Sequence, residues 1–273
     1  MSDITVIKGN LPLILLSPHG GFMDLDEIPN RNETFKCSSK SGKCHKNKKT
    51  AFVTQNDGPL TEISHFIYVT INKLTGKMPY MVVNNIARHD LDVNRPCYDG
   101  AEVDHAEDIW NKYFSNIDNL VDEINEKYSK ALLIDLHSYE KRPKNNRPII
   151  SLGYGIKKAQ FINPDDGMED DFTLKKMISN NLPMNKLLYG KLSFGSILEN
   201  LGLQAFPSNR LNKLQKIKNY MHYSGGYTVR RMKEKIPSIQ IEFPKDLIKK
   251  QVIYDTCEKA ASAIVLFMYI NDI

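Results

Sequence analysis

Two histidines stand where apolar runs leave the core. In LPLILLSPHGG (11–21) the run ends at His19, and in ALLIDLHSYEK (131–141) it ends at His137. Each precedes a turn-forming residue, Gly20 or Ser138, so its ring can leave the core. Neutral imidazole is the commonest zinc ligand among side chains, and two such rings at one sheet edge would suit a shared metal. Asp135, two residues before His137, falls on the same strand face and is placed to orient it. The plainer alternative is a pair of unrelated strand-end histidines bonded to backbone, and spacing alone leaves both open.

Three further stretches carry chemistry. NNIARHDLDVNRP (84–96) packs Arg88, Asp92, Asn94 and Arg95 behind an apolar run. Guanidinium groups beside an amide suit a carboxylate ligand, which they grip through two parallel hydrogen bonds. An ordinary surface network, with Asp92 neutralising an arginine, would look the same. In PSIQIEFP (237–244), Glu242 alternates with Ile239 and Ile241 and so shares the opposite face with Gln240. A carboxylate on an apolar strand is costly unless paired or used. Facing a metal it would act as general base on a metal-activated water; facing solvent it would be an edge residue. HYSGGYTVRR (222–231) couples a Gly-Gly turn to Tyr227 and Thr228, as a substrate loop or a plain turn would. SLGYG (151–155) lacks the spacing of a nucleotide-binding loop.

The elements that must position these residues alternate between strand and helix patterns, which predicts an α/β fold with a mixed or largely parallel sheet. Strands are expected at 13–17, 80–86, 131–136, 149–153 and 237–243, and helices at 60–75, 104–128, 186–202 and 246–270. Within 104–128, Ile109, Phe114, Ile117, Leu120, Val121 and Ile124 recur mostly at three- and four-residue steps, the pattern of a helix packed on a sheet. The 273 residues read as one domain, 1–273, with a basic insertion around 30–56 and a loop around 162–185. In open α/β sheets, ligands gather beyond the carboxyl ends of strands, where His19, His137 and Glu242 lie.

Taken in order, SPHGG, RxxLDVNRP, LIDLHS, SGGYT and IQIEF resemble the N-formylglutamate amidohydrolase family, over residues 12 to 245. Each motif alone is weak; five in sequence are specific. The resemblance implies a zinc-carboxypeptidase-like (phosphorylase/hydrolase-like) fold, shared with aspartoacylases, with one Zn2+ per chain. It implies His19 and His137 as metal ligands, Glu242 and Arg88 as catalytic residues, and Asn94, Arg95 and Tyr227 as substrate-binding residues. Zinc carboxypeptidases take another ligand from a glutamate three residues after the first histidine; here that position is Phe22, which binds no metal. The resemblance places the third ligand in an acidic residue before the next helix, Asp57 first and Glu62 second, with Asp24 and Asp26 nearer His19 in sequence. Glu62 also suits a helix first turn.

The implied activity is hydrolysis of the amide bond of a small, carboxylate-bearing N-acyl amino acid, of the N-formyl type. A carboxypeptidase or peptidoglycan-type amidase on the same scaffold is the alternative enzyme, and a non-catalytic binding protein the alternative class. Composition is that of a globular protein, 41% hydrophobic and 25% charged. No stretch reaches the roughly 18 apolar residues of a membrane helix. The start MSDITVIKGN is not a basic segment followed by an apolar one, which sets the expectation of a cytoplasmic protein. Much of the net charge of +5 sits in KCSSKSGKCHKNKK, from Lys36 to Lys49. Without interleaved aromatics or a nucleic-acid motif, this stretch reads as a solvated loop and nucleic acid as an unlikely partner. Cys37, Cys44 and His45 lack zinc-finger spacing and a fourth ligand, and with Cys97 and Cys257 they form no secreted-type disulfide framework. Oligomeric state is not readable from sequence.

Overall fold

The computed structural model describes residues 2–25, 31, 53–140, 148–162, 167–212 and 222–273. The stretch Cys37 to Lys49 and Asp26 lie outside the described residues. Among the described residues, strands β1 (Ile4–Ile7), β2 (Leu13–Ser17), β3 (Tyr80–Asn84), β4 (Leu132–Tyr139), β5 (Ile150–Gly153), β6 (Ala205–Phe206) and β7 (Ser238–Pro244) form one sheet. Its order is β1-β3-β2-β4-β7-β5-β6. The four central strands β3, β2, β4 and β7 run parallel. β1 is antiparallel to β3, and β5 is antiparallel to β7 but parallel to β6. The sheet is therefore mixed and mostly parallel, with helices on both faces.

Period-two alternation sends neighbouring strand residues to two cores. Leu13, Leu15, Leu132, Ile134, Leu136, Ile239, Ile241 and Phe243 join the first, beneath the helices Leu60–Thr75 and Ile253–Ile270. Ile14, Leu16, Tyr80, Val82 and Leu133 join the second, beneath the helix Asp104–Lys127. Leu60, Ile63, Ile67 and Ile71 form the buried stripe of the first of these helices. That helix stops at Gly76, whose left-handed φ of 69° lets its N–H close on Asn72 O. No helix among the described residues is long and apolar enough to cross a membrane.

Several expected boundaries move. The strand expected at 131–136 runs on to Tyr139, so His137 sits inside β4 rather than past its end. Its pairing with β7 continues to Tyr139 opposite Pro244, which keeps the strand extended. The strand expected at 80–86 stops at Asn84. The helix expected over 186–202 is two pieces, Met184–Tyr189 and Phe194–Asn200, the second capped by Ser193 Oγ accepting from Ser196 N. The terminal helix starts at Ile253, after a short 3-10 turn at Lys245–Leu247. Strands β1 and β6 had no clear pattern: β1 is short and half exposed, and β6 has two residues.

Candidate active site

Along β4, Leu133, Asp135 and His137 share one face; along β7, Ser238, Gln240 and Glu242 do. The register sets Asp135 opposite Gln240 and His137 opposite Glu242. On this face the apolar core gives way to polar side chains toward the carboxyl ends of the strands. His19 follows β2 by two residues, and Leu16 of β2 pairs with Asp135. Asp57 arrives from the loop before the helix Leu60–Thr75. Its N–H donates to His19 O (3.2 Å), and Ser138 donates through Oγ to Asp57 O and through N to Asp57 Oδ2 (3.3 Å). Gly20 permits this approach: Thr61 Oγ1 donates to its carbonyl, and a Cβ there would lie 2.3 Å from that oxygen.

The two rings converge on Asp57. His137 Nδ1 lies 3.0 Å from Asp57 Oδ2 and His19 Nδ1 lies 3.4 Å from the same oxygen. Each ring has a second carboxylate on its other side. His19 Nε2 is 2.7 Å from Asp92 Oδ1, and His137 Nε2 is 3.3 Å from Asp135 Oδ2. A neutral imidazole carries one N–H, so each ring would turn a bare lone pair toward one of its carboxylates. A cation among the two Nδ1 atoms and Asp57 removes that conflict. Asp92 then accepts the outer N–H of His19, as a carboxylate behind a metal-bound histidine does, while Asp135 stands 3.3 Å behind His137 Nε2 as a charge without a hydrogen bond to it. The spacings of 3.0 and 3.4 Å also bracket the ~3.3 Å between two ligands about 2.0–2.1 Å from a tetrahedral ion. The buried set His19, Asp57 and His137 therefore fits a zinc ion.

The surrounding charges are tuned by burial and by one another. Burial alone would raise the Asp57 carboxyl, but His19 and His137 hold it well below the ordinary carboxylate range. Asp92 is fully buried, a cost that Arg88, His19 and Arg31 outweigh, and it too is held low. Burial opposes the charged form of His137, yet Asp135 and Asp57 hold its pKa well above the imidazole norm. The site thus attracts positive charge, whether proton or metal. Glu242, 6% exposed, behaves in the opposite way: burial pushes its carboxyl up to about 8, against His137 and Arg88. Arg88 is pinned, Nε donating to Asp92 Oδ2 (3.1 Å) and Nη1 to Asp57 Oδ1 (2.9 Å).

These residues open onto a cavity of about 730 Å3, lined among others by Asp57, Arg88, Asn94, His137, Tyr139, Tyr223, Gln240, Glu242 and Lys245. That volume suits a small-molecule ligand. The structure brings together His19, Asp57, His137, Arg88, Asn94 and Glu242. Asn94 Nδ2 lies 3.3 Å from His137 Nε2, and the Asn94 amide presses on Gly226, where a Cβ would come within 2.1 Å of it. Three expected residues stand elsewhere. Arg95 turns its Nε to Asp92 Oδ2 (3.3 Å) and is not among the cavity-lining residues. Tyr227 packs on Trp110 and Phe114, with ring centroids 5.9 and 5.6 Å away, and points to the second core. Glu62 is exposed on its helix, in a separate depression with Phe22 and His65.

Sequence reasoning missed Arg31, whose buried guanidinium donates to Arg88 O and lies 3.7 Å from Asp92 Oδ2. It also missed Tyr139 and Tyr223, which pack together in the lining with centroids 5.0 Å apart. Gln240 had a signal, its place two residues before Glu242. Gln240 Nε2 donates to Glu242 Oε1 (2.7 Å), while its Oε1 accepts from Gly226 N.

No family model and no curated protein matches the chain. Among solved structures it is similar to the N-formylglutamate amidohydrolase from Ralstonia eutropha JMP134, with 13% identity, a TM-score of 0.53, and 100% of this chain and 98% of that chain covered. It is also similar to a gene product of Agrobacterium tumefaciens (13% identity, 100% and 94% covered, TM-score 0.47). A third similar structure is the N-acetylmuramoyl-L-alanine amidase from Clostridium difficile 630 (12% identity, 95% and 98% covered, TM-score 0.35). The first likeness establishes the fold.

Proposed function

We infer that the chain is a zinc-dependent amidohydrolase that cleaves the amide bond of a small, carboxylate-bearing N-acyl amino acid, of the N-formyl type. The observation that carries this reading is the placing of each histidine between two carboxylates, with both Nδ1 atoms turned to Asp57. His19, Asp57 and His137 would hold the ion. A bound Zn2+ supplies a Lewis acid and an activated water at neutral pH.

The chain's own groups supply the rest. Glu242, in the cavity lining opposite His137, accepts a proton from the attacking water and returns it to the leaving amine. Gln240 fixes Glu242 Oε1, which leaves the second carboxylate oxygen to carry that proton. Asp57 and Asp92 fix Arg88 at the cavity wall, where its charge stabilises the oxyanion. Arg88 and Lys245 bring positive charge to the lining for the substrate's carboxylate, and Asn94 completes that wall. Arg95 and Tyr227 lie behind it; Arg95 orients Asp92 and so His19 Nε2.

Protonation of both rings is the other way to meet the same geometry, and metal supply separates the two. Purified protein offered Zn2+ is expected to bind an ion that His137→Ala loses, and to hydrolyse N-formyl or N-acetyl amino acids only when loaded. Failure of the wild type to take up zinc at this site would refute the hydrolase reading.

A further inference from the structure

We propose that Asp24, His89 and Asp90 form a second divalent-cation site, which clamps the turn carrying Arg88 and Asp92. The three side chains each offer one ligand atom, and these lie within 4.8 Å of one another. His89 Nε2 is 3.0 Å from Asp24 Oδ1 and 3.6 Å from Asp90 Oδ1. The backbone builds this meeting. Met23 N donates to Asn85 O and Ala87 N to Met23 O, so residues 21–23 pair alongside 85–87 beyond the sheet. Asp90 N donates to Ala87 O, closing the turn that brings Asp90 back beside Asp24.

The independent sign of a ligand is Asp90 itself. Its residue is 2% exposed, and its Oδ2 accepts from Leu25 N (2.9 Å). Its Oδ1 is buried, has no hydrogen-bond partner, and is turned toward the cluster. A buried carboxylate oxygen without a donor is costly. A cation shared with His89 Nε2 and Asp24 satisfies it. One imidazole nitrogen and two carboxylates suit Zn2+ or Mn2+. Asp24 is 66% exposed in its side chain, so the ion can enter from solvent. The turn it would hold supplies Arg88 and Asp92 to the first site, but the two ligand sets share no residue.

The test is Zn2+ uptake by the full chain after chelator stripping, measured by equilibrium dialysis with elemental analysis. A Cys37→Ser/Cys44→Ser background keeps those thiols from contributing. The expected result is two ions per chain, one in His89→Ala, one in His137→Ala, and none in the double variant. Asp24→Asn, at an exposed position, should weaken the second ion at least tenfold and guards against misfolding of His89→Ala. Zn2+ should also raise the Tm of His137→Ala but not of His89→Ala/His137→Ala. Uptake of one ion, lost only in His137→Ala, would overturn this proposal and leave the hydrolase reading standing. One ion lost only in His89→Ala would support it while removing that reading. Uptake unchanged in both His89→Ala and Asp24→Asn would overturn it.

Discussion

Along β4 and β7, residues one position apart meet different surroundings. Leu132, Ile134 and Leu136, with Ile239, Ile241 and Phe243, pack in the apolar core under two helices, and on β4 this face turns polar only at Ser138. Their neighbours Asp135 and His137, with Gln240 and Glu242, are as deeply buried yet polar or charged. The difference shows a division of labour within single strands: one face holds the sheet in register while the other concentrates charge. Asp135 is 0% exposed and both of its oxygens lack hydrogen-bond partners, so the polar face is not stabilising by itself. The apolar face must offset it.

The largest effect should come from breaking the polar face at its centre. His137→Ala is expected to lose the ion held by His19, Asp57 and His137 and with it hydrolysis, as read by one fewer ion per chain in elemental analysis and by amine release. Glu242→Gln keeps the shape but removes the proton carrier, and kcat should fall by about 10²–10⁴ with zinc retained. An equal loss of zinc would instead make Glu242 a ligand.

Breaking the apolar face should give the converse. Ile241→Ala deletes a fully buried side chain and should cost about 2–5 kcal/mol in denaturant unfolding, while the folded protein still takes up zinc. Loss of zinc from a folded Ile241→Ala would show that the faces are not separable.

A smaller effect concerns pH. In chelator-stripped protein, the Glu242 carboxyl is raised to about 8 from an ordinary 4.5, chiefly by burial. The folded state therefore binds this proton more tightly than the unfolded state. The resulting stability is full below about 4.5 and is lost as pH rises to about 8, with a slope of up to about 1.4 kcal/mol per pH unit. Glu242→Gln should remove this component, and an unchanged slope would contradict the assignment. Smallest of all, Glu62→Gln should leave zinc uptake intact and stability within about 0.5 kcal/mol, because Glu62 is exposed and outside the cluster.

Much of this division could be read before the structure. Period-two alternation in LLIDLHS put Asp135 with His137 on one strand face, and in IQIEF it put Gln240 with Glu242, because side-chain direction in a strand is set by position. That the two pairs share a face of the sheet comes from the β4–β7 register. What strand pairing decides was less legible. Whether β4 ends at Leu136 or Tyr139 depends on β7 lying beside it. Side-chain direction outside strands was not legible either: Asn94 and Arg95 are adjacent, yet one lines the cavity and the other turns to Asp92. Tyr227 drew notice beside the Gly-Gly turn, but helix geometry carries it to Trp110, and Tyr223 reaches the cavity instead. Arg31, far from Asp92 in sequence, left no local trace.

The most direct test of the central claim is anomalous diffraction at the zinc edge from crystals grown with Zn2+. A peak about 2.0–2.2 Å from a nitrogen of His19, a nitrogen of His137 and an oxygen of Asp57 is predicted. Absence of density there, with both rings bonded directly to Asp57, would contradict it.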